Sequence, residues 1–125
     1  MEIGVGLDPT LGLSYEQQGQ MAAEAARLGY TSVWTPEGNG EDSFAACAVR
    51  WHATRDVVPG GVTTGISVAP VGLRTAMGFA MSAGTLSKLT GGRFILGIGT
   101  GGAYAPEYRA MWGMQGKSTL ALMRD

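Results

Sequence analysis

Four short runs of apolar, strand-favouring residues recur along the chain at Ile3 to Leu7, Ser32 to Thr35, Thr63 to Val68 and Phe94 to Ile98. Their starts lie about 30 residues apart, the length of one strand and one return helix. A tight turn cannot join parallel neighbours, so each return is a right-handed helical crossover that brings the chain back to the same sheet. The fold class is therefore α/β. Two architectures satisfy this: an open doubly wound sheet, or a (β/α)8 barrel, which needs roughly 250 residues. The 125 residues here hold four βα units, half of such a barrel.

The segments between the strands carry helix punctuation. Ser14 can cap the first helix, Gln17 can complete a capping box and Gly29 can end it, with Met21, Ala22, Ala25 and Leu28 as the apolar stripe. The second helix is expected from about Asp42 to Arg55, capped by Asp42 or Ser43, with Phe44, Ala48 and Trp51 facing inward. A third begins near Thr75 and carries Met77, Ala80, Met81 and Leu89 up to Gly91-Gly92. The last helical run, Lys117 to Asp125, has no stop signal. An open half-barrel exposes two strand edges, an aggregation hazard unless they are covered. A truncated chain or an obligate partner, as in a homodimer or higher oligomer, is therefore expected.

Composition removes other classes. Nine Lys+Arg against ten Asp+Glu leave the chain nearly neutral, which argues against a nucleic-acid partner. With 45% hydrophobic and 15% charged residues the chain is not disordered, and its 21 glycines lack the period of collagen. The single cysteine, Cys47, excludes an internal disulfide, and no Cys/His cluster has zinc spacing, so a reducing, cytoplasmic setting is the expectation. The start lacks a basic n-region and no apolar run approaches the roughly 18 residues that cross a bilayer, so a soluble, unprocessed chain without a membrane partner is expected.

In either architecture ligands bind beyond the C-terminal ends of the strands. Those ends read Asp8-Pro9, Pro36-Glu37-Gly38-Asn39-Gly40-Glu41, Ala69-Pro70 and Thr100-Gly101-Gly102. The run Gly97-Ile98-Gly99-Thr100-Gly101-Gly102 matches G-x-G-x-x-G after a strand, the pattern of a dinucleotide phosphate loop. A helix should then open at once, but Ala103-Tyr104-Ala105-Pro106 interrupts. The milder reading is bare backbone that a flat ring or a phosphate can approach closely.

Three motifs, Val33-Trp34-Thr35-Pro36-Glu37-Gly38, Thr64-Gly65-Ile66-Ser67-Val68-Ala69-Pro70 and Gly92-Arg93-Phe94-Ile95-Leu96-Gly97-Ile98-Gly99-Thr100-Gly101, together resemble the bacterial luciferase-like monooxygenase family. The resemblance is nearest to its actinobacterial branch that uses the deazaflavin coenzyme F-420. It implies a TIM barrel, of which residues 1–125 would be the N-terminal half. It also implies an isoalloxazine or deazaflavin ring at the C-terminal mouth, backed by a bulge at Ser67, Val68 and Ala69, with a non-prolyl cis peptide at Ser67–Val68. Thr100 and Gly101 match the turn that in relatives approaches the cofactor. Glu37 falls where some deazaflavin relatives place an Asp-His pair; no histidine accompanies it here, so it is expected either as an acid/base raised by burial or as a solvated, cap-like carboxylate.

Other residues read more plainly. Asp8 is expected as a turn residue before Pro9. Arg74 is open between a cofactor phosphate contact and a surface cap of the third helix. His52, the lone histidine, cannot build a triad or a two-histidine metal site, and Cys47, Trp34, Trp51 and Phe44 are expected to pack. The expected function is hydride transfer between coenzyme F-420 and a small organic substrate, with an FMN-dependent monooxygenase as the alternative. A non-catalytic cofactor-binding or dimerising half-barrel, and a Rossmann or flavodoxin-like nucleotide binder, complete the set.

Overall fold

The computed structural model describes residues 1–38, 40–102 and 105–124; the readings that touch Asn39, Ala103, Tyr104 and Asp125 lie outside the described residues. Four strands, β1 (Gly4–Gly6), β2 (Ser32–Thr35), β3 (Thr63–Pro70) and β4 (Phe94–Gly99), alternate with α1 (Tyr15–Arg27), α2 (Ser43–Thr54) and α3 (Ala76–Leu89). Two short helices follow, α4 (Pro106–Met111) and α5 (Thr119–Arg124), and 3-10 turns lie at Pro9–Leu11 and Val71–Leu73. The sheet is wholly parallel in the order β1-β2-β3-β4. Sequential order with right-handed crossovers puts every connecting helix on one face, as in a barrel wall, whereas a doubly wound sheet reverses its order and carries helices on both faces.

The two faces separate cleanly by register. Val33 packs with Leu7, Ala22 and Ala26, and Ile66 packs with Phe44, Cys47, Phe79 and Leu86, so α1, α2 and α3 cover the same side. The opposite side carries the paired row Gly6, Trp34, Gly65 and Ile95. Trp34 lies so close over Gly65 that a Cβ there would come within 2.4 Å of its ring.

Helix starts agree with the sequence punctuation. Ser14 and Gln17 form the capping box, Asp42 caps α2 through the Ala45 amide, and Thr75 caps α3 through Gly78. Two apolar stripes do not. In α1, Ala22 and Ala25 are buried but Met21 and Leu28 are exposed; the inner face is Gln18, Gly19, Ala22, Ala23, Ala25 and Ala26. Small residues let α1 approach α2 closely, for a Cβ on Gly19 would stand 3.3 Å from that of Ala53. In α3 the buried residues are Phe79 and Leu86, while Met77, Met81 and Leu89 face outward and Ala80 is exposed. Lys88 is the one charged residue of this helix and Ser82 and Thr85 are mixed with methionines on its outer side, so packing of Phe79 and Leu86 with Phe44 decides its facing.

Candidate functional site

The C-terminal ends of β3 and β4 depart from regular pairing. Ile66 pairs with Leu96 but Ala69 pairs with Ile98, so β3 carries one extra residue, a bulge made by Ser67 and Val68 against Gly97. The Ser67–Val68 peptide is cis. Ser67 and Val68 are exposed, while Ala69 and Pro70 are buried.

The glycines of the G-x-G-x-x-G run answer to this bulge. A Cβ on Gly97 would lie 2.5 Å from the Ile66 carbonyl oxygen, and one on Gly99 would lie 2.9 Å from Val68 Cγ2. Gly101 has φ of 55°, and a Cβ there would meet Pro70 Cγ at 2.7 Å. The dinucleotide-loop reading is thereby corrected. The bare positions make room for β3, and the next helix, α4, opens only at Pro106, whose missing N–H suits the first helical position. Thr100 is partly buried in the same turn. Ser67, Val68, Ala69, Thr100 and Gly101 therefore come together at the adjoining ends of β3 and β4.

Glu37 lies beside them. Its amide donates to the Val68 carbonyl at 3.2 Å, which continues the β2–β3 pairing past the bulge. The residue is buried, and its carboxylate is gripped by Arg74 at 2.5 and 2.7 Å. Arg74 also donates to Asp42 at 2.6 Å, and the Ser43 amide donates to Glu37 at 3.3 Å. The guanidinium stands over Phe44 and Phe79, at 4.8 and 5.7 Å from the ring centroids. Hydrogen bonding to Glu37, ahead of the opposing effect of burial, raises Arg74 above its ordinary value. Burial pushes Asp42 up, but the Ala45 amide and Arg74 outweigh it and hold the carboxyl below the usual range. Arg74 does not cap α3, whose cap is Thr75; it ties the β2–α2 loop to the turn after β3.

A second arginine escaped the sequence reading. Arg50, 1% exposed on α2, donates to the carbonyls of Leu7 at 3.0 Å and Trp34 at 3.3 Å, the ends of β1 and β2. It also donates twice to Gln18 Oε1, at 2.9 and 3.1 Å, and Gln18 in turn donates to both Glu41 oxygens at 3.0 Å. Desolvation lowers Arg50 from its ordinary value. The available signal was that Arg50 is the one Lys, Arg, Asp or Glu in α2.

The remaining candidates fall elsewhere. Asp8 Oδ1 accepts from the Thr10 amide at 2.8 Å and caps a 3-10 turn. His52 is exposed on α2, away from the strand ends. Cys47 is fully buried, its thiol pushed up to about 11 by desolvation. Trp51 is buried and donates to the Gly60 carbonyl at 3.0 Å. Among the described residues no three His, Cys, Asp or Glu side chains gather as a metal site, and no helix is long and apolar enough to cross a membrane. By the turn after β3, on the side of the sheet that the helices cover, an open cleft is walled by Arg74, Phe79, Ile98, Trp112, Met114 and Leu122.

Comparison with known proteins places this geometry. The profile of the family described as luciferase-like monooxygenase matches residues 2–125. A Mycobacterium tuberculosis protein, provisionally named a coenzyme F-420-dependent oxidoreductase, is 34% identical over the whole chain, which spans 35% of that relative's length. The oxygenating constituent of 3,6-diketocamphane monooxygenase from Pseudomonas putida, solved with FMN, superposes with a TM-score of 0.82 at 21% identity, over 99% of this chain and 36% of that one. The coenzyme F-420-dependent tetrahydromethanopterin reductase of Methanopyrus kandleri gives 0.68 at 19% identity, over 87% and 30%.

Proposed function

This chain belongs to the luciferase-like monooxygenase family, and from that premise we propose that it forms the first four βα units of a TIM barrel serving hydride transfer between coenzyme F-420 and a small organic substrate. The observation that carries the reading is the bulged end of β3 facing the bare end of β4. A planar ring needs a firm backing, and the exposed Ser67–Val68 bulge, seated closely on the bare Gly97 and Gly99, provides one. Ser67, Val68 and Ala69 would back the ring, and Thr100 and Gly101 would flank it. The deazaflavin, when bound, supplies two-electron hydride chemistry, and the protein supplies placement and exclusion of water.

The name of the 34% identical relative favours F-420. FMN is the second reading, favoured by the fold match to an FMN-bound monooxygenase. Fluorescence titration of the protein with each cofactor decides between them. Tighter binding of F-420 is expected; binding of FMN alone would transfer the reading to a monooxygenase. Binding without turnover of any substrate would leave the non-catalytic module.

A further inference from the structure

We infer that Arg74 and Glu37 are a positioning pair that fixes the β3 bulge as the backing of the ring, with Glu37 acting through its backbone amide and not as a proton carrier. This rests on the cofactor reading above. Glu37 is held at two points: its carboxylate by both terminal nitrogens of Arg74, and its amide by the Val68 carbonyl. A fork-to-fork ion pair fixes direction as well as distance, so the amide is aimed at the bulge. Asp42 and the two phenylalanine rings hold the guanidinium from its other sides. The side chains of Arg74 and Glu37 are 19% and 3% exposed, which shields the pair from water and salt.

The alternative occupation for Glu37, a general acid or base, requires a carboxylate free to face a substrate. Here Oε2 accepts from Arg74, and Oε1 accepts from Arg74 and from the Ser43 amide. A proton placed on either oxygen would face a cation or a backbone donor.

The test compares wild type, Glu37→Gln and Arg74→Lys in three readouts: the dissociation constant for F-420 and for FMN, the visible circular dichroism of the bound chromophore, and amide hydrogen exchange at residue 37. Glu37→Gln keeps size and removes the charge; Arg74→Lys keeps the charge and removes the fork. The pair predicts that Glu37→Gln weakens binding of whichever cofactor the wild type takes by about tenfold, alters the chromophore dichroism and speeds exchange at position 37. Arg74→Lys should fall between it and wild type. The kcat pH profile of Glu37→Gln should keep both limbs. Unchanged binding, dichroism and exchange together with a lost limb would overturn the proposal and make Glu37 the proton carrier, leaving the cofactor reading intact. A wild type that binds neither cofactor would overturn the reading itself, and this inference with it. If Glu37→Gln does not fold, Arg74→Lys carries the test: wild-type binding and exchange in that variant would overturn the proposal.

Discussion

Two arginines hold the strand ends of this sheet, and they do it by opposite means. Arg74, beside β3, meets two carboxylates and is raised from its ordinary value. Arg50, beneath β1 and β2, meets two carbonyls and an amide oxygen, reaches its nearest carboxylate only through Gln18, and is lowered. Both positions are short of water. The first site cancels the charge locally, and the second spreads a net positive charge over neutral dipoles. Charge matching ties loops whose backbones differ in path; dipole matching completes the hydrogen bonding of strands already aligned, since the Trp34 carbonyl also accepts from the Leu7 amide at 2.8 Å.

The largest effect should come from Arg50. Arg50→Met removes the donors to Leu7, Trp34 and Gln18 inside a closed core, and is expected to cost about 3 to 5 kcal/mol in a denaturant titration. A loss under about 1 kcal/mol would mean that water or Gln18 replaces the guanidinium, and the contrast between the two sites would collapse. Next comes Glu37→Gln. Arg74 keeps Asp42 and a neutral amide, so the same titration should show a loss of about 2 kcal/mol.

Asp42→Asn is smaller still, about 0.5 to 1 kcal/mol, because Asp42 is half exposed and asparagine caps a helix as well as aspartate does. The pH dependence gives its sign. A carboxyl held below its usual value contributes stability above the unfolded value near 3.9, and loses it as pH falls through the lower folded value. Asp42→Asn should therefore shrink the wild type's loss of stability below about pH 4; an unchanged acid limb would show that Arg74 does not depend on it. Cys47, one turn before Arg50, shifts the other way. Its thiol stays protonated up to about 11, against an ordinary 9.0, so its contribution is intact below 9 and declines as pH rises to 11. At pH 8 it should resist a thiol reagent until the protein unfolds, and fast labelling of folded protein would contradict its burial.

Most of the backbone was legible in the sequence, because a parallel βα repeat writes itself in spacing and caps: β2 was read at its observed bounds, Asp42, one of two candidates, caps α2, and α3 begins directly after Thr75. Facing was less legible. Met21, Met77 and Met81 look like core residues but point outward, since α1 packs through glycine and alanine and α3 packs through Phe79 and Leu86. The β3 bulge and its cis bond were anticipated from family resemblance and not from the pattern of the residues. The Arg74–Glu37 pair joins residues 37 positions apart, and Arg50 reaches back 43 positions to Leu7. Contacts of that span depend on strand order, which local patterns do not encode.

The most direct test of the central claim is a high-resolution structure of the protein with its bound cofactor. The ring is expected in van der Waals contact with Val68 and beside Thr100 and Gly101. A ring found at the opposite end of the sheet, near Glu2, Tyr30 and Arg93, would contradict it.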